Sequence, residues 1–130
     1  MGREVSLLDV AICELLPILK DWKEKLNWKE IERDLPAKKS LEKNEEFEVF
    51  LRSTKEELSL IVEKQYQVED EHGLDFPLYV SLKYFYPSGE IKLVIEDVLS
   101  ERVFIAYLDE SGKVLRKEEI TFLGWLDKGV

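Results

Sequence analysis

Arg102-Val103-Phe104-Ile105-Ala106-Tyr107-Leu108 is apolar at both parities of an extended chain, in a region whose other strand-like segments mostly alternate apolar and polar residues. A strand of this composition needs cover on two faces. Its neighbours show which face is which. Phe76, Leu78, Val80, Leu82, Tyr84 and Tyr86 recur with period two, as do Ile91, Leu93 and Ile95, and before them Leu58, Leu60, Val62, Tyr66 and Val68. Phe47, Val49 and Leu51 open the series, with Phe50 the one apolar residue out of phase, and Val114 to Leu123 closes it as a weaker strand with a charged middle suited to an edge.

The connections between these segments are too short for parallel crossovers, so the strands are expected to form an antiparallel meander. Pro87-Ser88-Gly89-Glu90 and Asp109-Glu110-Ser111-Gly112 have turn chemistry, with glycine at a position that favours positive φ. Parity then constrains register, because a slip of one residue moves every side chain to the other face. Four-residue loops place Tyr86 opposite Ile91 and Leu51 opposite Leu58. A two-residue turn at Leu99-Ser100 places Ile95 opposite Phe104, Leu93 opposite Ala106 and Ile91 opposite Leu108. Phe104, Ala106 and Leu108 therefore point inward, and Val103, Ile105 and Tyr107 point outward beside Glu96, Val94 and Lys92.

Leu8, Ile12, Leu15, Leu19, Trp22 and Leu26 step by four and three, which is one stripe of an amphipathic helix. Pro17 predicts a kink within it, since proline frees the carbonyl four residues back. Cys13 is expected to be a small buried side chain of this helix. A second short helix from Trp28 to about Leu35 is capped by Asn27 and ended by Pro36, and the stretch 37–45 reads equally as loop or polar helical turn. The expected fold is α+β: a kinked helix over about 6–26 and a short second helix, packed on one face of a roughly six-stranded, mostly antiparallel sheet over about 46–123. Residues 1–130 form one domain, with 1–45 helical, 46–123 the sheet and 124–130 a tail.

At 130 residues, 45% hydrophobic and 36% charged, the chain suffices for one core. No apolar run approaches the length of a membrane span, and the polar start predicts a cytoplasmic protein without a leader. Glu and Lys supply 34 residues and Asn and Gln only 4, a bias shared by heat-adapted proteins, so a thermophilic source is expected. The net charge is −9, with −8 of it carried by residues 46–130. An acidic sheet region without a stripe of bases argues against nucleic acid and against anionic membranes.

Chemistry is sparse. The loop Glu69-Asp70-Glu71-His72-Gly73-Leu74-Asp75 holds the one histidine, but its spacing does not fit a helix-loop-helix calcium site, and it reads as a solvated loop. Cys13 stands 59 residues before His72, no serine sits in a Gly-x-Ser-x-Gly elbow, and the glycines are isolated. Tyr79 and Phe85 could stack bases, with Lys83 the lone base of their strand. The expectation is a non-enzymatic protein with no cofactor and no metal.

The outward residues Tyr79, Phe85, Val94, Val103, Ile105 and Tyr107 form the candidate site. Either Trp28, Ile31 and Leu35 or the C-terminal Phe122, Leu123, Trp125 and Leu126 fold over them, or they meet a protein partner or a second copy of the chain. The functional expectation is a small acidic protein-interaction module of adaptor, inhibitor, immunity or chaperone type, using the outer sheet face or a sheet edge. The alternative is a small-ligand-binding protein or enzyme, with Tyr84, Tyr86 and Asp97 lining a pocket between the sheet and the first helix.

Overall fold

The computed structural model describes residues 7–35, 37–55, 57–69, 72–97 and 101–121, with the side chains of the last two left aside. Helix α1 (Leu7–Lys25) and helix α2 (Trp28–Arg33) precede seven strands: β1 (Lys38–Lys43), β2 (Glu48–Ser53), β3 (Leu58–Glu69), β4 (Asp75–Tyr86), β5 (Ile91–Asp97), β6 (Arg102–Leu108) and β7 (Val114–Thr121). The sheet order follows the chain, and all six pairings are antiparallel. The fold is thus the expected α+β meander with one strand more than the sequence predicted. The extra strand is β1, from the stretch left open between loop and helix. Four of its six residues are charged, so it carries no period-two apolar signal, and such an edge resists pairing with other chains.

The α1 helix continues through Pro17. Pro17 is exposed, as is Cys13 four residues before it, so the carbonyl released by the missing N–H lies on the watered side of the helix. Cys13 is accordingly a free, exposed thiol and not the buried residue expected. Ala11, Leu15, Leu16 and Leu19 form the buried side, about half a turn away from it. At 1.5 Å per residue α1 is about 28 Å long, close to the width of seven strands at about 4.8 Å spacing. It crosses the inner face from the β6–β7 turn, which abuts Ile12 and Leu16 at Gly112, to β1, where Trp22 Nε1 donates to Glu42 Oε1 at 3.0 Å. One cluster joins these helix residues to Val49, Leu51, Leu60, Val62, Val80, Leu82, Leu93 and Ala106.

Asn27 caps α2 as expected, its side chain accepting from Glu30 N at 3.3 Å, and the helix ends at Arg33, two residues early. Trp28 donates to the Lys23 carbonyl at 2.9 Å and stacks on Tyr86 at 4.9 Å between centroids. Both α2 residues expected to matter for cover, Trp28 and Ile31, pack on the inner-face cluster, while Leu35 is 51% exposed. They therefore do not lie over the outer face.

Every inward and outward assignment made by parity for β2 to β6 holds, and the β5–β6 register is the one expected: Ile95 opposite Phe104, Val94 opposite Ile105, Lys92 opposite Tyr107. Parity fails in β7, where it places Val114 and Ile120 on one side: the register slips between Tyr107 and Leu108, so Val114 stands opposite inward Leu108 and Ile120 opposite outward Val103. Two other hairpins are displaced by two residues. Tyr84, not Tyr86, faces Ile91, and Leu60, not Leu58, faces Leu51. A shift of two leaves every side chain on its face, so the apolar pattern is blind to it. Backbone bonds decide it: Phe85 N donates to the Glu90 carbonyl at 2.9 Å and Gly89 N to that of Phe85 at 2.8 Å, which closes the turn one residue before Tyr86. Tyr86 is released to stack on Trp28.

A polar link ties α1 to the lower half of β3. Tyr66 donates its hydroxyl to Glu14 Oε1 at 2.6 Å, and Lys64 Nζ approaches the same oxygen at 3.2 Å. The Tyr66 hydrogen bond, then that of Lys64, holds the Glu14 carboxyl below its ordinary value, and burial followed by Glu14 pushes the Tyr66 phenol up. The stabilisation from Glu14 is complete above the pH at which an unfolded glutamate ionises and disappears as pH falls through the depressed folded value. Tyr66→Phe is expected to lower stability by about 1 kcal/mol at pH 7 and by less at pH 3, read from urea midpoints at the two pH values. An equal loss at both would remove the carboxylate from the account.

Candidate functional site: the outer face of the sheet

Register converts the outward residues into rows that run across the strands. One row reads Ser40, Phe50, Ile61, Lys83, Lys92, Tyr107, Arg116 from β1 to β7. On one side of it lies Lys38, Arg52, Ser59, Phe85. On the other lies Lys43, Glu48, Glu63, Ser81, Val94, Ile105, Glu118, and beyond that Gln65, Tyr79, Glu96, Val103. Over these paired positions the first two rows hold Lys38, Arg52, Lys83, Lys92 and Arg116 and no carboxylate, with Glu90, whose carbonyl accepts from Phe85 N, at the turn beyond Phe85. The other two hold Glu48, Glu63, Glu96 and Glu118 with Lys43 alone. An acidic chain thus carries a basic belt beside an acidic one.

The six residues expected to form the site divide by exposure. Val94, Val103 and Ile105 are 1%, 0% and 1% exposed and form a small cluster of their own, against which, among the described residues, only Tyr107 packs. Tyr79 is 44% exposed, and Phe85 and Tyr107 are half-buried. The structure therefore brings Val94, Val103, Ile105 and Tyr107 together, while Phe85 joins Tyr107 only through Lys92. The C-terminal Phe122, Leu123, Trp125 and Leu126, expected as one possible cover, lie outside the described residues.

Cations lie over the rings of this face. Lys92 Nζ sits 5.4 Å from the Phe85 centroid and 5.9 Å from that of Tyr107, the Arg116 guanidinium lies 4.1 Å from Tyr107, and Lys38 Nζ lies 4.5 Å from Phe50. Each such contact is worth about 0.5–1 kcal/mol at a surface and screens the ring from water. Phe50 and Ile61 below are 4% and 2% exposed.

Lys83 is the exception within the belt. It is half-buried between Ile61 and Lys92, a like charge directly across the strand pair, an arrangement that costs stability. Among the described residues none of Lys38, Arg52, Lys83 and Lys92 forms an ion pair with a carboxylate. Burial pushes the Lys83 ammonium down from the ordinary lysine value, Lys92 and Arg52 push it further, and Glu96 and Glu63 from the neighbouring rows only partly oppose them. Burial likewise raises the Glu96 carboxyl, with Glu63 adding to the effect and Lys83 opposing it. Along its own strand Lys83 is a lone base. Lys92, Arg52 and Arg116 come from three other strands; the outward parity of Lys92 and Arg52 is legible in the sequence, whereas Arg116 is turned outward by the register slip between Tyr107 and Leu108.

On the inner side, Tyr84 is 8% exposed under the ring of Trp28, at 5.5 Å between centroids, with Lys23 Nζ 4.7 Å from it. Two concavities among the described residues lie elsewhere. One, of about 640 Å³, is lined by α2, Lys39 and Leu51, and the other, of about 380 Å³, lies beside the β1–β2 turn and reaches Tyr79. Neither includes a residue of α1. His72 is exposed in the β3–β4 connection, and among the described residues no three His, Cys, Asp or Glu side chains come close enough to hold a metal ion. No described helix is long and apolar enough to cross a membrane. Compared with protein-family models, curated proteins and solved structures, the chain finds no match in any of the three.

Proposed function

We propose that this protein is a non-enzymatic interaction module that engages a partner protein through the outer face of its sheet. The observation that carries the reading is the Lys83–Lys92 pair: two cations set opposite one another among Ile61, Phe85 and Tyr107, with no carboxylate in ion-pair reach among the described residues. Such a pair weakens the free chain by a few tenths to about 1 kcal/mol and is relieved when an anion-bearing partner covers it. Tyr79, Phe85 and Tyr107 supply the half-exposed aromatic surface that interfaces favour.

This trade between stability and binding is measurable. Lys83→Met is expected to raise unfolding free energy by about 1 kcal/mol, because it removes a desolvated charge and its like-charged neighbour while keeping the stem. The gain is largest at neutral pH. Because the folded state holds the Lys83 proton less tightly than the unfolded state, the natural chain recovers stability as pH rises through the depressed folded value, and the difference from Lys83→Met shrinks. Urea titrations of both chains at pH 7 and pH 10 check this, and a destabilised methionine variant would show that Lys83 is a structural lysine.

The binding half is tested by affinity capture from extract of the source cells with the natural chain, with Tyr79→Ser/Tyr107→Ser, and with Lys20→Glu on the exposed side of α1. A protein retained by the first and third and lost with the second supports the outer face. Identical sets from all three would overturn it.

A further inference from the structure

We infer that the basic belt is a docking site for an extended acidic peptide segment of a partner protein, laid across the strands from β1 to β7. This rests on the interaction-module reading above and names what that face would hold.

Length is the first argument. The belt runs from Lys38 on β1 to Arg116 on β7, six strand spacings or about 29 Å, which is the reach of roughly nine extended residues at about 3.3 Å each. Its cations occur in three groups along that line, Lys38 with Arg52, Lys83 with Lys92, and Arg116. Anions placed along an extended chain can meet all three, whereas a single small anion can meet only one.

Charge decides the rest. The belt is bordered by the row of Glu48, Glu63 and Glu118, so an anionic ligand is confined to a strip two rows wide, and a ligand broader than one peptide chain would overlap those carboxylates. Elsewhere the chain is strongly acidic, which repels the same segment from other surfaces and leaves the belt as its favourable landing place. The ring faces argue against the other polyanion with an extended single strand. Base stacking needs open aromatic faces, and here Lys92 and Arg116 already lie on Phe85 and Tyr107. Carboxylates need the cations and not the rings.

Fluorescence anisotropy with fluorescein-labelled decaglutamate tests this at about 20 mM salt, where surface attraction is least screened. The full chain is expected to bind it, and K83Q/K92Q to bind about ten-fold more weakly. R116Q, at an exposed edge position where the core is not at risk, is expected to weaken it by about two- to three-fold. K20Q/K29Q on the exposed sides of the helices should leave it unchanged. Absence of binding by the full chain, or equal loss in K20Q/K29Q, would overturn the proposal. So would tighter binding of labelled ten-residue oligothymidylate with the same loss in K83Q/K92Q, which would make the belt a nucleic-acid site. If decaglutamate fails while a captured partner still depends on Tyr79 and Tyr107, the acidic segment falls and the interaction module stands; if that dependence is absent as well, both fall.

Discussion

Replacing Ile105 with aspartate is expected to abolish folding. Ile105 is 1% exposed, between Val94 on β5 and Glu118 on β7, with Ser81 beyond Val94 in the same row. Removing the side chain forfeits about 2–4 kcal/mol of burial and packing. The new carboxylate has no cation in its row nearer than Lys43 on the far edge, and it meets Glu118 directly across the strand. An unpaired buried charge adds several kcal/mol more, so the total reaches about 5 kcal/mol or above, comparable to the whole stability of a typical domain. Far-UV circular dichroism and gel filtration check it. The control is Tyr79→Ser on the same face, where 44% exposure limits the loss to about 1 kcal/mol. A folded Ile105→Asp with an unchanged urea midpoint would show that this part of the face is open and would return Val94, Val103 and Ile105 to the list of partner contacts.

Gly112→Ala is the second large effect. Gly112 has φ +92°, and a Cβ there would lie 2.8 Å from Leu16 Cδ2 and 3.1 Å from Ile12 Cγ2. The turn that carries it is tied tightly: Asp109 Oδ1 accepts from Ser111 N at 2.9 Å, Ser111 Oγ at 2.6 Å and Lys113 N at 3.0 Å, and Gly112 N donates to the Asp109 carbonyl at 3.0 Å. The backbone therefore cannot swing to relieve the contact. Leu16 is buried and can yield only by disturbing its own packing. Positive φ costs an alanine about 1 kcal/mol and the overlap about 1–2 more, for a loss of about 2–3 kcal/mol. Gly89 separates the two terms. Its φ is +83°, yet a Cβ there meets nothing within 4 Å, so Gly89→Ala should lose only the backbone share, about 1 kcal/mol. Equal losses in the two variants, measured by urea unfolding, would show that the β6–β7 turn does not press on α1.

How far the sequence carries is visible in particular residues. The period-two alternation of Phe76 to Tyr86 and the stripe from Leu8 to Leu26 announce sheet and helix, because burial of one face is written into residue type at fixed spacing. β1 was missed because Lys38–Lys43 is held by backbone pairing to β2, and backbone pairing leaves no mark on side-chain type. The site shows the same division. Tyr79, Phe85 and Tyr107 were legible as outward aromatics, whereas the belt was not, since charge summed along the chain reads the sheet region as −8 and hides the fact that five cations share two rows.

The sequence by itself determined that Val103, Ile105 and Tyr107 face away from α1, and that the strands run as an antiparallel meander beneath one helix, since side-chain period and short turns admit no other arrangement of faces. The tertiary structure decided which residues stand beside one another within a face. Strands displaced by two residues look the same to the apolar pattern, but such a step would pair Lys83 with a different residue of β5. Turn hydrogen bonds choose among those registers, and at the β4–β5 turn it is their choice that sets Lys83 against Lys92.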